Sequence, residues 1–253
     1  MIGSGEPVAG TAVSAMGRRA AAGLAIAASA ALLGCSSTVS GPPAAGHDSA
    51  TATSPPTPPS AAPAPVGVAA LPGLLLDLDD MRRVINAPTL LLVQTWRHPD
   101  TGFGVTFQQP DCLGATASGM AATYDGSGHQ GVFFLAYDDP ASQTDLEAGQ
   151  GVAAFPTPAA AQAFLAQQDA QWHKCAGTQF TETPDGQPPI TLSLGQVTEN
   201  AGMITLGSTS PTGNCMRAMA VKDNIVVDNG ACEVNLADQV TALTNAILAK
   251  IMP

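Results

Sequence analysis

The chain has 253 residues, with 9 Lys and Arg against 20 Asp and Glu, a formal net charge of −11. So acidic a chain repels phosphate backbones, which argues against nucleic-acid binding. It argues equally against lying flat on an anionic membrane through charge alone.

The N-terminus carries a targeting signal. Arg18 and Arg19 precede an uncharged apolar stretch from Ala20 to Leu33, too short to be a comfortable membrane span. The stretch ends in Leu32-Leu33-Gly34-Cys35, which reads as a bacterial lipobox: residues 1–34 are a lipoprotein signal peptide and Cys35 is the lipidated first residue of the mature chain. A plain secretory signal with an accidental cysteine is the alternative, and the polar stretch from Ser36 onward argues against it. Glu6 sits ahead of the basic pair, so Met16 gives a tidier start than Met1. Two of the nine cations and one of the twenty acids precede Cys35, leaving a mature net charge of −12.

Residues 36–70 hold eight prolines, many Ser, Thr and Ala, and one acid, Asp48. Such a segment cannot bury a core and reads as a disordered or polyproline-like tether. Its 35 residues reach roughly 100 Å when extended at about 3 Å per residue. Thr51 to Pro59 is also suited to O-linked sugar. The expectation is a protein held by Cys35 on the extracytoplasmic face of the cell membrane.

Residues 71–253 contain every aromatic residue and the four remaining cysteines, enough chain for one domain with a real core. Leu74, Leu78, Met81 and Ile85 share one face of a helix over 74–85, closed by Asn86-Ala87-Pro88. Pro110-Asp111-Cys112 starts a short helix that Gly114 and Gly119 weaken. Gly131 to Tyr137 predicts a strand, with 150–155 its partner. Thr157 caps, and Pro158 opens, a helix burying Ala161, Phe164, Leu165 and Trp172, with Cys175 just past its end. Strands are expected at 177–183, 190–198, 201–206, 215–221 and 225–228. Leu236, Val240, Leu243, Ile247 and Ile251 stripe a final helix that Asn235 can cap. The fold class is α+β: a single domain with an antiparallel sheet packed with helices.

Four cysteines in an exported domain imply two disulfides, and three pairings are possible. Cys112–Cys175 with Cys215–Cys232 is preferred, because the second pair fits a hairpin turning at Asp223-Asn224. No C-x-x-C occurs and no histidine lies at zinc-like spacing from a cysteine, so no metal site is expected.

Val152 to Leu165, followed by Trp172-x-x-Cys175, resembles the PknH-like extracellular sensor domain of mycobacteria. So does the closing order Asn214-Cys215-x-Arg217, Asn224 to Asp228, Cys232 and a last helix. The resemblance spans roughly 71–253 and implies a mixed α+β domain with two disulfides, paired as preferred above, and a ligand cleft. In the kinase an intracellular catalytic domain carries the output. The present chain has no kinase motifs and no membrane-spanning helix, so it resembles a free-standing lipoprotein relative that would signal through a partner.

Catalytic motifs are absent: there is no G-x-S-x-G, no phosphate-binding loop and no H-E-x-x-H. No cofactor and no catalytic residue are expected, and the protein reads as a non-enzyme. No two of His98, His129 and His173 are paired at i, i+4. His173 suits capping the last carbonyls of its helix, and Trp172 suits the core. Three residues are the ligand-cleft candidates. Trp96 lies in a polar context that would expose it in a loop. His129 sits in a Gly-rich turn. Arg217 is either a charge partner within the fold or an anion binder. The first functional reading is a sensor-like domain binding an unidentified small ligand. The second is an interaction module for an envelope protein, and the third an envelope hydrolase with a site assembled from scattered residues.

Overall fold

The computed structural model describes residues 64–102, 104–142, 146–211, 213–232 and 237–252. The signal peptide, Cys35, the tether up to residue 63, and the Asn235 cap with Leu236 lie outside the described residues.

Nine strands form one sheet: β1 (Leu91–Trp96), β2 (Val105–Phe107), β3 (Gly131–Asp138), β4 (Glu147–Ala154), β5 (Gln179–Pro184), β6 (Ile190–Asn200), β7 (Met203–Ser210), β8 (Gly213–Lys222) and β9 (Ile225–Cys232). Their order is β1-β3-β4-β9-β8-β7-β6-β5-β2, and every neighbouring pair is antiparallel. The α+β class therefore stands, with helices on both faces of the sheet.

Side-chain alternation along β9 explains its apolar run. Ile225 and Val227 join the core on one face, where they meet Met81 and Ile85 of α2 (Leu78–Ile85) and Leu243 and Ile247 of α6 (Ala237–Lys250). Val226 points to the other face, with Phe164 and Trp172 of α5 (Pro158–Cys175) and Phe134 of β3. A strand buried on both sides reads as continuous hydrophobics rather than as alternation.

Helix α5 begins as expected. The Thr157 hydroxyl oxygen accepts the Ala160 N–H at 3.1 Å, and Pro158 occupies the first turn, where its missing N–H costs nothing. Cys175 is the last helical residue rather than the one after, and it is bonded to Cys112. Cys215 and Cys232 stand directly opposite each other on β8 and β9 and form the second disulfide. The hairpin turn between them falls at Asp223, where φ is +51°.

The expected helix over 74–85 is broken into α1 (Leu71–Leu74) and α2. Asp77 caps α2, its carboxylate accepting the Asp80 N–H at 2.8 Å. The buried Gln150 amide takes both backbone groups of Leu76, at 2.9 and 2.8 Å, and so diverts them from a helix. Order also reaches back before Leu71. Val66 exchanges two hydrogen bonds with the Asn224 side chain, at 2.8 and 2.9 Å, and Val68–Ala70 is a 3-10 turn. Strands β1 and β2, not foreseen, are the two edges of the sheet. The first comes from an apolar run without alternation, and the second is only three residues long.

Candidate functional site

The site is built on a charge inside the sheet. Asp228, fully buried, interrupts the apolar run of β9. Arg217 on β8 is opposite Gly230. A Cβ at position 230 would lie 3.2 Å from Arg217 Cδ, so the glycine gives the arginine stem room to lie across β9. Arg217 Nη1 then stands 2.7 Å from Asp228 Oδ1 and donates to the Asn229 carbonyl at 2.7 Å. Nη2 donates to the Gly114 carbonyl at 3.1 Å. The guanidinium lies 5.4 Å from the centre of the Trp172 ring, a favourable placement for a desolvated cation.

Asp228 Oδ2 accepts the Gly119 N–H at 2.9 Å and the Tyr124 hydroxyl at 3.0 Å. Tyr124 lies on α4 (Ala121–Tyr124), and Gly119 in the turn after α3 (Leu113–Thr116). One carboxylate therefore pins the turn and the helix to the sheet. Burial, and then the charge of Asp228, push the Tyr124 phenol well above its ordinary range, which keeps it a proton donor. Gly119 has φ +72°, and a Cβ there would lie 3.1 Å from the Phe134 ring, so the turn suits glycine on both counts.

Beside this network lies a cavity of about 480 Å³. Arg217, Phe134 and the Cys215–Cys232 disulfide line it, as do Trp96 at the end of β1 and Ser118 and Gly119 from the turn. Asp100, Asp138 and Glu147 supply carboxylates to the same lining. Glu182 on β5 is raised above the usual carboxylate range, first by burial and then by the charge of Glu147. The cavity is thus apolar and aromatic on its walls, with three acidic residues beside Arg217, whose charge Asp228 meets.

Two of the three expected cleft residues come together here. Trp96 lines the cavity, half-buried, from the end of a strand and not from a loop. Arg217 lines it too, but its charge is met by Asp228 within the fold, which is the first of its two readings. His129 is not brought to the cavity. It sits edge-on to Tyr124 at 5.6 Å, with Nδ1 3.0 Å from Ser127 Oγ. Trp172 is core, with no exposed surface. His173 does not point back at the helix carbonyls: its Nε2 faces Asp169 and Glu199. Asp228 and Tyr124 were missed. The available signal was an acid set directly after Ile225-Val226-Val227, because a charge in a doubly buried strand requires a partner.

No described helix is long and apolar enough to cross a membrane. The model of the PknH-like extracellular domain matches residues 66–250. The chain is similar to the serine/threonine-protein kinase PknH of Mycobacterium bovis, with 28% identity over 192 residues, 75% of this chain and 32% of the kinase. It is also similar to the kinase PknJ of Mycobacterium bovis, with 30% identity over 191 residues, 72% of this chain and 32% of that kinase. It spans about a third of the length of these relatives. The crystal structure of the extracellular domain of PknH from Mycobacterium tuberculosis superposes with a TM-score of 0.68 at 28% identity, covering 74% of this chain and 96% of that one. On the extent of these matches, the chain belongs to the PknH-like extracellular domain family.

Proposed function

We propose that this protein is a lipid-anchored, extracytoplasmic, sensor-like domain that binds a small ligand in the cavity beside the Arg217–Asp228 pair. The observation that carries the reading is the cavity itself, about 480 Å³, within the range of small-molecule sites. Its walls offer Trp96 and Phe134 as apolar surfaces, and Asp100, Asp138 and Glu147 as acceptors. That lining favours a ligand with an apolar body and a cationic or hydrogen-bond-donating group. Cys35 supplies the anchor, and the output passes through an envelope partner. The hydrolase reading stays third: Ser118 and three acidic residues line the cavity, but no histidine does among the described residues. A thermal-shift screen of cell-envelope fragments and metabolites tests the proposal. A ligand of the native state raises the melting temperature, and a screen in which nothing does so argues against it.

A second reading rests on β1. This edge strand exposes Leu91, Leu92 and Val93, at 45%, 47% and 58%. An exposed apolar edge is suited to strand addition by a partner protein. Cross-linking from position 93 on intact cells separates the readings, since recovery of lipid neighbours alone counts against a protein partner.

A further inference from the structure

Three side chains converge away from the cavity, on α5 and β6. Asp169 and His173 are spaced i, i+4, so they share one face at the end of the helix. Glu199 approaches from the end of β6, next to the turn at Ala201-Gly202. His173 Nε2 is 3.5 Å from Asp169 Oδ1 and 3.4 Å from Glu199 Oε1. One donor atom from each residue falls within 4.8 Å of the other two.

These separations are longer than charge-assisted hydrogen bonds usually run, about 2.7–2.9 Å, so the contact of His173 with Glu199 is a weak hydrogen bond. Both separations match the edge of a coordination tetrahedron, about 3.4 Å when bonds to the metal are about 2.1 Å. An independent observation points the same way. Asp169 Oδ1 is shut off from solvent and meets only the His173 imidazole, at 3.5 Å, within a side chain that is 29% exposed as a whole. A buried carboxylate oxygen left so is costly unless a cation completes it. Two carboxylates held close together in a chain of net charge −11 add to the field that draws a dication.

We propose that Asp169, His173 and Glu199 form a binding site for a divalent transition-metal ion, with zinc favoured by the donor set. An imidazole nitrogen and two carboxylates suit Zn²⁺, whereas Ca²⁺ seeks six to eight oxygen ligands. The three protein donors leave one tetrahedral position for water or an external ligand. The ion clips the end of α5 to the β6–β7 hairpin. The ligand set was not legible in the sequence because Glu199 is 26 residues from His173 and becomes its neighbour only through the fold. The inference is independent of the cavity reading.

The test is zinc titration of the tag-free, metal-stripped full chain, followed by isothermal calorimetry and by melting temperature, with calcium as the comparison ion. One equivalent of zinc is expected to bind and raise the melting temperature, while calcium at equal concentration does not. His173→Ala, His173→Gln and Glu199→Gln each weaken zinc binding by at least about tenfold, on the scale of losing a supporting contact at a metal site or more. The side chains of His173 and Glu199 are 51% and 65% exposed, so the metal-free variants are expected to melt as the wild type does. A combined His47→Ala and Cys35→Ser variant, altered only outside the described residues, binds as tightly as the wild type. No zinc binding by the wild type, unchanged binding by His173→Ala, or loss of binding in the His47/Cys35 variant would each overturn the proposal.

Discussion

Arg217 lies across β9 so that its Nη1 stands 2.7 Å from Asp228 Oδ1, with both side chains sealed from solvent. Neither charge is tolerable there alone. Arg217→Met leaves Asp228 buried and uncompensated, and is expected to cost about 3–5 kcal/mol. Adding Asp228→Leu removes the stranded charge and recovers part of that loss. Urea denaturation of the two variants checks both statements. Equal stability of Arg217→Met and wild type would show that the pair does not hold the fold.

Tyr124 donates to the same carboxylate. Burial and the Asp228 charge raise its phenol, so the folded state resists losing that proton. Above about pH 10 the unfolded chain releases a tyrosine proton that the native state retains, and stability falls as pH rises from there through the folded value. Tyr124→Phe abolishes this part of the alkaline slope. Near neutrality it loses a hydrogen bond to a charged group, worth about 1.5–3 kcal/mol. Denaturant midpoints measured across pH 8–11 report both effects.

Asn224 holds Val66 and the Phe155 carbonyl at once. Asn224→Ala leaves the buried Phe155 carbonyl and the part-buried Val66 groups without this partner, at a cost of about 1–3 kcal/mol. It also frees the segment that leads out of the fold. Limited proteolysis is expected to cut between residues 64 and 70 faster in the variant than in the wild type.

The two disulfides close loops of unequal length, with sequence separations of 63 and 17. The chain-entropy model gives about 4 kcal/mol for the longer and about 3 for the shorter. Cys215 and Cys232 are also held by the β8–β9 ladder, whereas the turn that carries Cys112 has no strand ladder to α5 and meets it through the Gln171 side chain, whose Nε2 donates to the Asp111 carbonyl at 2.9 Å. Paired serine substitutions are therefore expected to lower the melting temperature more at Cys112/Cys175 than at Cys215/Cys232.

Local chemistry was readable where it acts alone. Thr157 and Pro158 announced α5, and Asp223-Asn224 announced the β8–β9 turn. The cysteine pairing followed from the hairpin. What could not be read depends on long-range partners. The break between α1 and α2 is set by Gln150, which lies 74 positions from Leu76. The cavity needs Trp96, Ser118 and Glu147 brought together by an edge strand, a turn pinned by Asp228, and β4. His129 illustrates the converse. Its Gly-rich turn was evident, but only the fold shows that it packs on Tyr124 and not in the cavity.

The central claim is that the cavity takes a small ligand, and paired cavity variants test it most directly. Envelope extracts and metabolites are screened by thermal shift against the wild type, Trp96→Ala, which strips an aromatic wall, and Ala136→Leu, which fills space in the lining. The account predicts at least one fraction that raises the melting temperature of the wild type and of neither variant. Stabilisation of all three proteins to the same extent, or of none, would contradict it.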